Sequence, residues 1–535
     1  MRRRSFILKS AAGAAALTGA GGIFNKALAA PAQWGSPVAP LPLPLPSPSQ
    51  FRADVQRMVN FGPRLPGSAG HNAYVDWLEH EFVLAGFTLR PAYEFQYATW
   101  QPECAELDVL DGPSPGSVQV AFPYVRSAST GPEGITAPLS HVSTDHGGSP
   151  GSIFVIDLQS PATTNAGAFQ LIASYSYWRG HSASDWGTID YTRAWAGPWP
   201  ADFSSYIKAG ARAVVLIADN ASHAALAGGF SPHQAPSATP IPVLVVGRDT
   251  GVQLRQQAEA GHQARLLLES PGRQSTMRTI TAVLPGQTDE TIICDTHSDG
   301  QNAIEENGGP ALLGLARHFA SLPPGQRLKR TLVINVWSAH MTDPTVQPEL
   351  DGWIRINPDL FKSAVGGVTI EHLGCTLWVD DPVRGYHGTG ENEPYAIWTT
   401  EGPTFELARP LLAKHDLDLH ALLHGPVMYT VGNWYQQYGL PMVGGIAGPT
   451  YLLVISPTGE IEKLNFALAS RQIAFYHDII RGFDTADPAA LRTGDPGLGQ
   501  PVNGGLVPPP LTGKFVSSRA GGRSSGDSGD ARPAS

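Results

Sequence analysis

Residues 291–300 read TIICDTHSDG and residues 305–322 read EENGGPALLGLARHFASL. The first is a short apolar run that turns polar at its end. The second passes from Glu-Glu-Asn through Gly-Gly-Pro and continues with apolar residues at helical spacing. A buried strand feeding a helix is the repeating unit of a parallel α/β sheet, and the unit recurs on both sides. TLVINVWSAH (331–340), GVTIEHLG (367–374) and LPMVGGIAG (440–448) read as further strands, and NFALASRQIAFYHDIIRGF (465–483) as a closing helix. Upstream, HNAYVDWLEHEFVLAGF (71–87) places Tyr74, Trp77, Leu78, Phe82 and Ala85 on one helical face, with Gly86 as its stop. The fold class is therefore α/β, a mostly parallel sheet covered by helices.

That pattern is interrupted. Between about 103 and 270 the chain is rich in strands: SIFVIDL (152–158), ARAVVLIAD (211–219) and IPVLVV (241–246), with VQLRQQAEAG as a helix ending at Gly261. Strand-rich sequence inside an α/β pattern predicts a β-rich insert over 103–270, flanked by 51–102 and 271–485, whose strands share one sheet. Residues 30–50 are a Pro-rich spacer, expected to be extended. Residues 486–535, rich in Gly, Pro and Ser, read as a disordered tail.

Residues 1–29 read as an export signal. Arg2, Arg3 and Arg4 precede an apolar Ala/Gly stretch, and Ala27-Leu28-Ala29 offers a small-residue cleavage site. The run Arg3-Arg4-Ser5-Phe6-Ile7-Leu8-Lys9 is twin-arginine-like. The expected location is periplasmic or extracellular, in a bacterium, with an ordinary secretory signal as the alternative. A net charge of −10 over 535 residues argues against nucleic acid as a partner. No stretch is long and apolar enough for a membrane span, so no membrane partner is expected. Cys104, Cys294 and Cys375 are too few and too scattered for a disulfide framework or a thiolate zinc site. Nothing in the sequence speaks to oligomeric state.

Ligands of open α/β sheets gather beyond the carboxyl ends of the strands. The polar residues there are His297 and Asp299, then Glu305 and Glu306, His340, and Glu371 with His372. Imidazole with carboxylates suits a divalent ion such as zinc. An Asp two residues from a His can orient its ring. Singly, each of these residue types is more often structural, and Glu-Glu before a helix is ordinarily dipole compensation. His372 is expected on the face opposite Glu371, because strand side chains alternate. In HDLDLHALLH, His420 and His424 stand at helix-compatible spacing and His415 precedes them, which reads as a partly exposed helix.

Five segments together, GPRLPGSAGHNAYVDWLEHEF, ITAVLPGQTDETIICDTHSDG, EENGGPALLGLARHFASL, RTLVINVWSA and GVTIEHLGC, resemble the zinc-dependent exopeptidase family of aminopeptidases and glutamate carboxypeptidases. TPIPVLVVGRDTGVQLRQQAEAG resembles the protease-associated domain that many members carry as an insertion. The resemblance spans roughly 51–483 and implies a metal site. In it His297 is a ligand oriented by Asp299, Glu305 or its rival Glu306 stands near the bridging carboxylate, and Glu371 stands at the next ligand position. The family's Glu-Glu falls at His340-Met341, and its final His falls near Ile455. A thioether is a poor zinc ligand and no base, so the resemblance implies one zinc ion, with none as the alternative. His340 then replaces the base or adds a fourth ligand, since imidazole titrates near neutral pH. The expected function is a secreted single-metal hydrolase of the exopeptidase type, acting on an amide or ester bond of a peptide or other small substrate. The alternatives are a non-catalytic binding protein and a different group transfer on the same scaffold.

Overall fold

The structure, a computed structural model, describes residues 42–492 and 500–501, apart from 144–146, 159–162, 165–172, 174, 180–187, 190–198, 201, 220, 233–237, 343–348, 401, 426–427 and 437. The expected signal sequence lies outside the described residues. The first helix, α1 (Pro48–Val59), begins inside the segment read as spacer. Ser47 caps it, the Gln50 side chain answers in a capping box, and Pro48 occupies the first turn, where its missing N–H costs nothing. Helix α2 (Ala69–Leu84) carries the apolar stripe read from the sequence and buries Tyr74, Trp77, Leu78 and Phe82.

The large sheet is built on β1 (Gln274–Leu284), β2 (Thr288–His297), β3 (Arg330–Trp337), β4 (Ala364–Ile370), β5 (Tyr395–Thr399), β6 (His420–His424) and β7 (Met442–Ala447). Their order across the sheet is β1-β3-β2-β4-β7-β5-β6. The central run β3-β2-β4-β7 is parallel. Toward the edges β1 joins β3 antiparallel and β5 joins β7 antiparallel, so the parallel character belongs to the centre. Central strands are buried on both faces and read as unbroken apolar runs, which is why they were legible. Ile292 and Cys294 of β2 face a core shared with α1, α2, α3 (Gly308–Ser321) and α4 (Phe466–Thr485). Ile293 faces the other core, with Trp337, Trp353 and Tyr435.

A second sheet of eight strands lies entirely within Cys104–Glu269. Its inner strands Ile153–Leu158, Ala213–Ala218 and Val243–Gly247 run parallel. One segment departs from the expected separation: Tyr175–Trp178 leaves this block and pairs antiparallel with β6 of the large sheet. The start of the segment read as a disordered tail is also ordered. Pro488–Leu491 is a helix, Leu491 is buried, and Arg492 donates to the carbonyls of Ala364 and Gly439. Gln500–Pro501 pairs with Tyr175–Trp178. Among the described residues no helix is long and apolar enough to cross a membrane.

The His-rich stretch 415–424 is not a helix. His420 and His424 both lie on β6 and are buried, with Nδ1 of each on a backbone carbonyl, of Asp418 and Thr399 respectively.

Candidate metal centre

Three neighbouring parallel strands, β3, β2 and β4, deliver the site at their carboxyl ends. His297 is the last residue of β2, His340 follows the end of β3, and His372 follows the end of β4. The loop after β2 returns Glu305 to the same place. Ligand atoms of His297, Glu305 and His372 lie within 4.8 Å of one another, and all three residues are buried.

Both imidazoles are turned by the backbone. His297 Nδ1 lies 2.9 Å from the Asp299 carbonyl, and His372 Nδ1 lies 2.6 Å from the Ala447 carbonyl. A carbonyl only accepts, so each ring carries its proton on Nδ1 and presents Nε2 on the other side. His372 Nε2 faces Glu305 Oε2 at 3.3 Å. Burial favours the neutral His372 ring, but the Glu305 carboxylate, joined by Glu371 and the Ala447 carbonyl, outweighs it and raises the pKa above the ordinary value. A positive charge at this place, a proton or a metal ion, answers the buried carboxylate. Two histidines with carbonyl-fixed tautomers and one buried carboxylate are the donor set of a zinc site with an open position, and the residues fit that ion.

Residues 371 and 372 point apart, as alternation predicts, but the residue beside His297 and Glu305 is not the one expected. His372, and not Glu371, joins the group. The strand ends at Ile370 and His372 adopts φ 53°, a left-handed conformation just beyond it, with its ring still on the side opposite the Glu371 carboxylate. Glu371 instead accepts from the Val431 N–H at 2.9 Å, and burial pushes its pKa up to about 8. Glu306 is also directed elsewhere: it pairs with the buried guanidinium of Arg64. Burial lifts Glu306 to about 7 although Arg64 opposes the shift. Arg64 further donates to the carbonyls of Met58, Gly62 and Asn302.

Asp299 orients His297 through its backbone carbonyl, while its carboxylate stands 3.8 Å from His297 Nδ1. That carboxylate accepts from the N–H groups of His340 (3.2 Å) and Met341 (2.6 Å). Glu349 completes the support. It accepts from the Ser338 N–H and Oγ, the Ala339 N–H and the Thr279 hydroxyl. Two buried carboxylates thus hold the 338–341 loop and set the His340 ring, which stacks on His297 with centroids 4.2 Å apart. His340 Nδ1 lies 3.9 Å from Glu305 Oε1, and its side chain is 16% exposed, the most open of the group. His297, Asp299 and His340 form a second possible grouping of donors. The engagement of the Asp299 carboxylate with two N–H groups makes it the poorer one.

Sequence reading missed Arg64 and Asn302, whose key partners are distant in the chain, and Glu349, which turns back onto the 338–339 backbone and Thr279. Asn302 Nδ2 donates to the carbonyls of Tyr451, Leu452 and Val454, and its Oδ1 accepts from the N–H groups of Ile304 and Glu305. One amide thereby ties the 451–454 loop to the backbone of Glu305. The loop is also held from the strand-rich block: Phe230 N–H donates to Leu453 and Ile455 N–H donates to Gly228. Ile455 packs with Leu65, Val125 and Phe230, and Met341 is buried in the large core.

No protein-family model matches the chain, and no curated protein matches it. Solved structures do. The zinc aminopeptidase BSAP from Bacillus subtilis has a TM-score of 0.54 at 14% identity, covering 83% of this chain and 97% of that one. A peptidase M28 precursor from Shewanella amazonensis SB2B has a TM-score of 0.55 at 16% identity, covering 82% and 94%. An aminopeptidase from Aneurinibacillus sp. strain AM-1 has a TM-score of 0.50 at 15% identity, covering 81% and 93%. Likeness at these identities speaks to architecture, and the architecture of this chain is the zinc-exopeptidase-like α/β fold.

Proposed function

We propose that the chain is an exported metal-dependent hydrolase of the exopeptidase type, cleaving an amide or ester bond with one zinc ion held by His297, Glu305 and His372. The observation that carries this reading is the pair of imidazoles whose Nδ1–H groups are fixed on the Asp299 and Ala447 carbonyls, leaving Nε2 of each on the side of Glu305. When bound, zinc supplies Lewis acidity, polarising a carbonyl and making water more acidic. The remaining work belongs to the chain. His340, set by the Asp299 and Glu349 carboxylates, takes a proton on its ring and returns it to the leaving group. The buried walls around His297 and Glu305 exclude bulk water and strengthen each charge interaction.

A single ion is favoured because a second would need donors where Met341 and Ile455 stand, and both are packed among apolar side chains. The same two residues favour a second reading, a non-catalytic protein that binds ligands in the cleft. Metal analysis of natively purified protein, with hydrolysis of peptide and ester panels, separates the two. About one zinc per chain with turnover supports the hydrolase. Neither metal nor turnover supports the binding protein.

Export rests on the N-terminal sequence. N-terminal sequencing of the mature protein from its host is expected to start near Ala30. Replacing both Arg3 and Arg4 by Lys is expected to block export by the twin-arginine route.

A further inference from the structure

We infer that the side chain of Gln301 is a two-point clamp for the backbone of an extended peptide substrate, an inference that rests on the hydrolase reading for the identity of the site. Gln301 lies in the loop between His297 and Glu305 and is 2% exposed. Among the described residues, neither its Nε2 nor its Oε1 has a hydrogen-bond partner. Buried polar groups are nearly always paired, and an orphaned carboxamide is a standing cost to the fold. Its neighbours are committed. The Asp299 carboxylate holds the 340–341 amides, Asn302 uses both ends of its amide on the 451–454 loop and on residues 304–305, and Arg64 is engaged by Glu306 and three carbonyls. The unmatched group lies in the short stretch of chain that joins two residues of the metal group, His297 and Glu305.

The chemistry of the group names its partner. A carboxamide offers donors at one end and an acceptor at the other. A substrate carboxylate asks for donors only, and an ammonium for acceptors only. One residue of an extended peptide presents its N–H and C=O to the same side, as in the hydrogen-bonded pair of an antiparallel ladder. Gln301 Oε1 accepts that N–H and Nε2 donates to that C=O. Peptides are thus preferred over esters of the same shape, which lack the N–H.

The test is Gln301→Met, which keeps the length of the side chain and removes its polar atoms. Thermal unfolding is read first. Because the carboxamide is unpaired in the folded protein, Tm is expected to rise. A fall in Tm means that the group is paired within the protein or by buried water, and overturns the clamp. Chelator-treated protein is then titrated calorimetrically with trialanine and with its depsipeptide analogue, in which an ester oxygen replaces the N–H. Wild type is expected to prefer trialanine by about tenfold, and the variant to lose that preference. Equal affinities in wild type, or a preference unchanged in the variant, overturn the clamp. If wild type takes up no zinc and hydrolyses neither compound, the hydrolase reading fails. A trialanine preference that still depends on Gln301 then leaves the clamp standing as a feature of a binding site.

Discussion

His297 and His372 reach the same space by different backbone routes, one at the end of a strand and one through a left-handed residue beyond a strand. Each is fixed by a carbonyl at Nδ1. If both are ligands, His372→Ala is expected to weaken zinc binding on the order of a hundredfold. Glu371→Gln is expected to leave one zinc per chain, because Glu371 is engaged by the Val431 N–H away from the group. Metal analysis after dialysis against a zinc buffer checks both. Zinc lost from Glu371→Gln and kept by His372→Ala would restore the ligand set read from the sequence. Alternation told the sequence reading that residues 371 and 372 point apart, but not which of the two faces His297 and Glu305.

At the scale of elements, β2, β3, β4, α2, α3 and α4 were legible because each is a long apolar run or a stripe at helical period. The stretch 415–424 was not. A spacing of four residues returns to one face in a helix and also in a strand, where every second residue shares a face. Here the strand won, because β6 is buried between β5 and Tyr175–Trp178. Arg64, Asn302 and Glu349 were illegible for a different reason: Arg64 and Asn302 act through partners far along the chain, and Glu349 beside Asp351 reads like an ordinary acidic helix start although it turns back to hold residues 338–339. The junction of α3 with β4 yields a further expectation. A methyl on Gly308 would stand 1.9 Å from the Ile370 carbonyl. Gly308→Ala is therefore expected to cost about 1–3 kcal/mol by overpacking. Because α3 and His372 flank that carbonyl, zinc affinity should fall with it. Chemical denaturation and zinc titration of the same variant test the two effects.

For the whole molecule, pH acts through buried histidines remote from the metal group. Burial holds His424 at about 4, and holds His477 at about 4, against an ordinary 6.5. The folded protein refuses a proton that the unfolded chain accepts. Each group's contribution is complete above about pH 6.5, shrinks as the pH falls, and is lost on passing about 4. The loss is on the order of a few kcal/mol per group. Denaturation midpoints are expected to drop between pH 6.5 and 4, with a shallower drop in His424→Gln. A profile identical to wild type in that variant would remove His424 from the cause.

The 451–454 loop, tied by Asn302 to Glu305 and by Gly228 and Phe230 to the strand-rich block, has a consequence in time. The ribosome releases His297, Glu305 and His372 well before it releases Tyr451. A nascent chain stalled at Leu440 would carry all three side chains without the loop that braces Glu305, and without α4 to cover β2 and β4. Such a stalled chain is expected to retain no zinc in a pull-down, while the released full chain retains it. On the zinc-hydrolase reading, metal acquisition is then an event of the finished polypeptide.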